Sequence, residues 1–230
     1  MPSRTTLAVK RAIDAVGAAA ALVVLSPVLV VVAVAIRLTM GPPVLYRQRR
    51  PGRHERPIRV WKFRTMTDAR DEQGRLRPDG ERLTRLGRVL REYSLDELPQ
   101  FLNVLCGDLS LVGPRPLLTR YLPRYTARQR RRHTVTPGMT GWAQVNGRNA
   151  LDWDSRLEMD VWYVEHLSLA LDVRIMLLTL VRLLQRRDVH AGGGAELEEF
   201  WGTHGPPAGG PRALPVEAEE PAPASRAGTA

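Results

Sequence analysis

Cysteine is nearly absent from this chain, and with it any internal disulfide framework: Cys106 stands alone among 230 residues. A single thiol accords with a reducing, cytosolic setting. Histidine is also sparse. His54, His133, His166, His190 and His204 are scattered without metal-ligand spacing, which argues against a zinc site. Lysine is almost missing, since Lys10 and Lys62 are the only two and the rest of the 34 basic residues are arginine. Aromatic residues make up 6% of the chain, and none of them interleave with the arginines as a stacking platform for bases would require. The net charge of +10 implies an anionic partner, whether nucleic acid, anionic lipid or a phosphorylated small molecule, and without a stacking platform a membrane-tethered nucleic-acid-binding protein is the runner-up reading. No internal repeat is present.

What the chain does have is an uncharged apolar run from Ala15 to Ile36, interrupted near its middle by Ser26-Pro27. As a helix it would reach about 33 Å, enough for a ~30 Å hydrocarbon core. Lys10 and Arg11 precede the run, and Arg37, Arg47, Arg49, Arg50 and Arg53 follow it, so both flanks ask for the cytoplasmic side. Proline lacks a backbone donor and clashes with the carbonyl four residues back, so a helix break at Pro27 would return the chain to the face it entered. Ser26 is placed to satisfy a freed carbonyl. Three other readings compete with this re-entrant hairpin: a single spanning helix, a cleaved signal peptide with an unusually long apolar core, and a buried core helix.

Beyond the run the pattern is α+β and mostly helical. Gly41-Pro42-Pro43 is a turn, Val44 to Tyr46 starts an extended stretch, and Pro57 to Met66 alternates as a strand. Thr67 to Glu81 reads as a surface loop. Helices are expected over Arg82 to Glu92, Leu98 to Leu105 (ending at Gly107), Tyr121 to His133, Ser155 to His166 and Asp172 to Gln185. The last is apolar but short for a span, which suits an interfacial amphipathic helix or a core seal. Arg128, Arg130, Arg131 and Arg132 read as a solvated cluster. Turn residues over Thr136 to Asn149 suggest a hairpin. The chain divides at about residue 40, after the apolar segment over 1–40, and at about residue 190, where the patterned region over 41–190 gives way to an expected disordered tail without catalytic role over 191–230.

Chemistry concentrates at Ser94-Leu95-Asp96-Glu97-Leu98-Pro99-Gln100. Ser94 with Glu97 three residues later has the form of a capping box, a purely structural explanation. Pro99 prefers the first helical position, which moves the helix start toward Leu98 and leaves Asp96 and Glu97 just ahead of it. Backbone donors at such a start would keep Asp96 ionised and available as a nucleophile. Two carboxylates and an incoming phosphate repel one another, so the site calls for a hard divalent cation such as magnesium and for arginines. Arg91, Arg115 between two prolines, Arg148 after Asn146-Gly147, and Lys62 and Arg64 on the strand are the candidates.

Three ordered segments, VWKFRTM (Val60 to Met66), SLDELPQFLNVLCGDLSLVGPRPLL (Ser94 to Leu118) and TPGMTGWAQVNGR (Thr136 to Arg148), closely resemble the bacterial sugar transferases, the small monotopic polyprenyl-phosphate phosphoglycosyl transferases. The resemblance covers roughly residues 8 to 187. It implies transfer of a sugar 1-phosphate from a nucleotide diphosphosugar, usually a UDP-sugar, to a polyprenyl phosphate with release of UMP, at the cytoplasmic face of the bacterial inner membrane. It further implies that Asp96 is the nucleophile that forms an aspartyl-phosphosugar. Glu97 would hold Mg2+ with Asp96 or deprotonate the acceptor, and Arg91, Arg115, Arg148 and, more weakly, Lys62 and Arg64 would neutralise phosphate. The Ser26-Pro27 break matches the family's re-entrant helix, and the resemblance thus implies a membrane-embedded re-entrant helical hairpin over 1–40 and a catalytic domain on the cytosolic face over 41–190. Expected partners are the lipid acceptor, the nucleotide sugar, the membrane and a second copy in a homodimer, with no nucleic acid. The product would initiate an exopolysaccharide or another glycoconjugate.

Overall fold

The computed structural model describes residues 3–147, 151–185 and 199–203. Helix α1 (Arg4–Met40) starts where the Ser3 hydroxyl accepts from the Thr6 amide at 3.0 Å. Its 37 residues, about 55 Å of helix, continue through Pro27 with no interruption, so the expected helix-break-helix is a single helical element. The cost of the proline is met locally. Residue 27 cannot donate to the Val23 carbonyl, and the Ser26 hydroxyl donates to that same oxygen at 2.7 Å.

Both flanks of α1 pack on one body, while its middle stays uncovered. Ala18 packs against Val60, Val104 and Leu109, and Val32 with Ile36 packs against Phe63 and Leu90. Val23, Val24, Val30 and Val31 between them are exposed. The basic residues before the run are fasteners rather than loose flanks. Lys10, only 7% exposed, donates to Asp172 at 2.7 Å and to the Val112 carbonyl at 3.0 Å. Arg11 donates to the Val104 and Leu105 carbonyls in the last turn of a short helix, where the Val104 oxygen also accepts from the capping Gly107 amide. One turn on, Asp14 accepts from the Ser110 hydroxyl and the Leu111 amide.

Strands β1 (Leu45–Pro51) and β2 (Pro57–Phe63) form an antiparallel ribbon in which Tyr46 faces Lys62 and Gln48 faces Val60. Helices α2 (Asp79–Arg82), α3 (Arg85–Glu92) and α4 (Gln100–Cys106) follow, α4 ending at the left-handed Gly107 as expected. Strand β3 (Ser110–Val112) then pairs with β4 (Gly138–Thr140) in parallel. Over the described residues 136–147 there is thus no hairpin. The segment between β3 and β4 is the long connection a parallel pair requires, and β4 runs into the short helix α6 (Trp142–Val145). The backbones come so close that a β-carbon on Gly138 would lie 2.1 Å from the Gly113 nitrogen.

The helix expected over Tyr121 to His133 is broken into a 3-10 turn (Thr119–Arg124), helix α5 (Ala127–Arg130) and a second 3-10 turn (Arg131–Thr134). Pro123 stops the first piece, and a capping box between Thr126 and Gln129 starts the next. This break turns Arg132 inward, so the basic run is not uniformly solvated: Arg132 is 2% exposed. Helices α7 (Trp153–Glu165) and α8 (Leu169–Gln185) close the body, with Ile175 of α8 buried among Val112, Val145 and Tyr163. Val173, Leu177, Leu180 and Val181 of α8 remain exposed. The fold is mostly helical with a few short strands, as expected. Within the expected tail, however, residues 199–203 are packed against the body, and Phe200 is 1% exposed.

Candidate active site

Glu97 and its neighbours are assembled from four separate stretches of chain. Lys62 is supplied by β2, whose position relative to α4 is set by the Asn103 side chain: it accepts from the Trp61 amide at 2.9 Å and donates to the Arg59 carbonyl at 2.7 Å. Arg91 comes from α3. That helix approaches the end of β2 so closely at Gly87 that a β-carbon there would lie 1.9 Å from the Thr65 carbonyl oxygen. The approach lets Arg91 Nε donate to Thr65 Oγ1 at 3.1 Å.

The carboxylates follow a sharp reversal. Ser94 is left-handed, with φ 54° and ψ 23°, and its side chain caps nothing, so the capping-box explanation of Ser94 and Glu97 fails. A 3-10 turn (Leu95–Glu97) then presents Asp96 and Glu97 ahead of α4, for which Pro99 is the flanking residue. Glu97 turns away from the backbone. It accepts from Lys62 Nζ at 2.7 Å and from Arg115 Nη1 at 3.2 Å, with a second, closer contact from Arg115 Nη2. Burial alone would raise its pKa, but the charges of Arg115 and Lys62 and their hydrogen bonds overrule burial and hold the carboxyl well below the usual range. The same pairing raises Arg115.

Asp96 stands in the opposite state. It is 8% exposed, and among the described residues none donates a hydrogen bond to its carboxylate. Burial first, then the charge of Glu97, raise its pKa against the pull of Lys62, Arg91 and Arg115. The lowering expected from helix-start donors is not what sets it: burial and Glu97 outweigh the nearby positive charges, and the pKa moves up. A carboxylate with no hydrogen-bonded cation among the described residues has the chemistry to act as a nucleophile toward a substrate that brings its own cation.

Of the remaining expected residues, Arg64 is turned elsewhere, bonding the Met66 and Pro42 carbonyls and Asp68. Arg148 lies outside the described residues. Arg50, in contrast, is marked by no motif and belongs here. Along β1 it shares the face of Tyr46 and Gln48, two residues apart each time, and that face is the one carrying Lys62 across the ribbon. Its guanidinium donates to the Gln48 side chain and lies near Arg115 and Glu97; burial and then Arg115 lower its pKa to about 10. The ribbon register is the signal that exposes this partnership. Arg132 gives no such signal. Fully enclosed, it pairs with Asp160 at 2.6 Å and donates to the Arg115 carbonyl at 2.6 Å, bracing the loop that carries Arg115.

Lys62, Arg50, Arg91 and Arg115 thus surround two carboxylates, a net excess of positive charge that suits a diphosphate. Among the described residues there is no group of three or more His, Cys, Asp or Glu that could hold a metal by itself. His133 is buried beside Arg132 and Arg130, and burial and those charges lower it to about 3.

The sequence pattern described as "Bacterial sugar transferase" matches residues 5–186, four-fifths of the chain. The protein belongs to the bacterial sugar transferase family. Among relatives in the family, the "Uncharacterized sugar transferase EpsL" of Bacillus subtilis (strain 168) is 50% identical over 84% of this chain and 96% of its own. The "Exopolysaccharide production protein PSS" of Rhizobium leguminosarum bv. phaseoli is 40% identical, covering 78% of this chain and 97% of its own. The "UDP-glucose:undecaprenyl-phosphate glucose-1-phosphate transferase" of Escherichia coli (strain K12) is 42% identical over 75% of this chain but only 39% of its own length. This chain therefore spans nearly the whole of the small relatives and well under half of the large one.

Proposed function

We propose that this sugar transferase moves a sugar 1-phosphate from a UDP-sugar to a polyprenyl phosphate, releasing UMP, through a covalent intermediate on Asp96. The observation that carries the reading is the contrast between Glu97, fully compensated by Lys62 and Arg115, and its neighbour Asp96, buried with no hydrogen-bond donor among the described residues. An Asp96 oxygen attacks the phosphorus that bears the sugar. The bond from that phosphorus to the bridging oxygen breaks, and UMP leaves with the bridging oxygen and the electron pair. An oxygen of the polyprenyl phosphate then attacks the same phosphorus, returning the Asp96 carboxylate and forming a polyprenyl diphosphosugar. Lys62, Arg91, Arg115 and Arg50 bind and orient the phosphates and take up the charge that develops in each step.

Magnesium fits this donor set. It takes one or two carboxylates with phosphate oxygens and water, and Asp96 has oxygens to offer, whereas Glu97 can contribute only by giving up contacts to Lys62 or Arg115. When bound, the ion neutralises diphosphate charge. Arg148 is carried as a further phosphate-binding residue.

The membrane arrangement belongs to the same proposal. Helix α1, remaining helical but bent at Pro27, enters and leaves the lipid on the cytoplasmic face; what supports this is that Ala18 and Ile36, on either side of the exposed middle, pack on one body. A spanning helix would put them on opposite sides. Asp96 is then held at the surface where a lipid can present its phosphate without leaving the bilayer.

The test is a panel of UDP-sugars given to purified enzyme with magnesium and undecaprenyl phosphate, read by UMP release and by the mass of the intact protein. A donor should release UMP and leave a phosphosugar on the enzyme when the lipid is withheld, and Asp96→Asn should do neither. Turnover retained by Asp96→Asn rules out this nucleophile.

A further inference from the structure

Residues 199–203 sit in a cage built for them. The Phe200 ring meets Tyr121 nearly edge-on at 5.6 Å between centroids, Tyr125 at 5.5 Å and Trp153 at 5.4 Å. Leu157 completes the cluster. Arg124 reads three features of the segment at once: it donates to Glu199 at 3.0 Å and to the Phe200 carbonyl, and it lies 4.3 Å from the centroid of the Trp201 ring. Arg120 lies 3.4 Å from Glu199, and Gln129 donates to Thr203 at 3.3 Å. So many directed contacts to five residues are more than casual packing supplies.

What the cage touches on its other side gives this docking a consequence. Tyr125 faces Arg132, whose guanidinium carbon is 5.8 Å from the ring centroid, and Arg132 donates to the Arg115 carbonyl. Tyr121 lies on the 3-10 turn that packs against β1, the strand of Arg50. Phe200 therefore stands behind both arginines on this side of the site.

We infer that the 199–203 segment is an intramolecular brace, and that Phe200 is a positioning residue for the phosphate-binding arginines Arg115 and Arg50. The inference rests on the transferase reading for its kinetic consequence, but not for the brace itself. Docking fills the space between Tyr121, Tyr125 and Trp153, fixes the turns over 119–134, and so holds Arg115 where it engages Glu97 and phosphate. With Phe200 removed the cage has a void, Arg132 loses the support of Tyr125, and the Arg115 loop gains freedom.

The experiment compares full-length wild type with Phe200→Ala, Phe200→Leu and Arg124→Ala by UMP-release kinetics and by amide hydrogen exchange across 115–134. Phe200→Ala and Arg124→Ala should lower kcat/KM for the UDP-sugar by roughly 10–100-fold, the scale on which a small misplacement of a positioned group acts. The exchange of 115–134 should quicken in both, and Phe200→Leu, which refills most of the void, should recover most of each effect. Unchanged kcat/KM in the folded Phe200→Ala enzyme, or unchanged exchange in that stretch, overturns the brace. Wild type that turns over no donor defeats the transferase reading instead, and the exchange comparison still decides the brace.

Discussion

Asp96 and Glu97 are neighbours in sequence held in opposite electrostatic states. Glu97 accepts from Lys62 and Arg115 and is kept ionised; Asp96 is buried beside it with its pKa raised by burial and by Glu97. One carboxylate is engaged by two cations, and the other has no hydrogen-bond donor among the described residues.

Glu97→Gln separates these roles through pH. A carboxylate nucleophile works deprotonated, so the acid limb of kcat/KM lies at the raised pKa of Asp96, above its ordinary 3.8. Removing Glu97 takes away a charge that raises Asp96 and frees Lys62 and Arg115 to lower it further. The limb should move to lower pH while the maximal rate falls. A limb that stays in place would show that Asp96 is not the group titrating.

Asp96→Asn should cost all turnover and add stability. A group with a raised folded pKa favours the folded state only when protonated, so the ionised Asp96 weakens the fold at neutral pH. A neutral isostere removes that burden, so Asp96→Asn should raise Tm at neutral pH. The gain should vanish below the ordinary 3.8, where the wild-type group is protonated in both states. Differential scanning fluorimetry across pH reads both.

Lys10 and Asp172 pin α1 to α8, both nearly enclosed. Breaking such a pair by removing one partner strands the other charge, at about 3–5 kcal/mol. Lys10→Met and Asp172→Asn should each lower the detergent-solubilised Tm by many degrees. The double substitution should be less damaging than the two losses added together.

Gly87→Ala should act at a distance. Its β-carbon would meet the Thr65 carbonyl at 1.9 Å, so α3 must shift and Arg91 must leave Thr65 Oγ1. Donor kcat/KM is expected to drop about tenfold or more. Arg91→Ala should show the same kinetic loss with little change in Tm, since Arg91 is exposed.

Topology can be read with a Cys106→Ser background, because Cys106 is exposed, and a single new cysteine at Ser3. In inverted membrane vesicles, which turn their cytoplasmic face outward, an impermeant thiol reagent should label Ser3→Cys; in intact spheroplasts it should not. The opposite pattern would make α1 a span.

Short-range chemistry is legible in the residues themselves. The apolar run with its Ser26-Pro27 pair, the strand of Lys62, the Gly107 helix stop and the placement of Asp96 and Glu97 ahead of a helix all follow from period, cap, proline and glycine. The hairpin expected over 136–149 is not formed among the described residues because turn residues report a reversal but not which strand is paired, and β4 finds β3 across a long connection. The solvated reading of Arg132 fails because a run of arginines carries no mark of which one meets a buried Asp160.

By itself the sequence determined that this chain carries an apolar helix, a carboxylate pair at a helix start and an arginine-rich surround, since these depend on residue type and spacing alone. Only the tertiary structure decided which carboxylate is neutralised and which is left, that Arg50 joins Lys62 on one face of the ribbon, and that Phe200 stands behind Arg115. Those are relations between residues far apart in the chain. Electrostatics and packing act through space, so a pKa or a brace exists only once the fold has closed those distances.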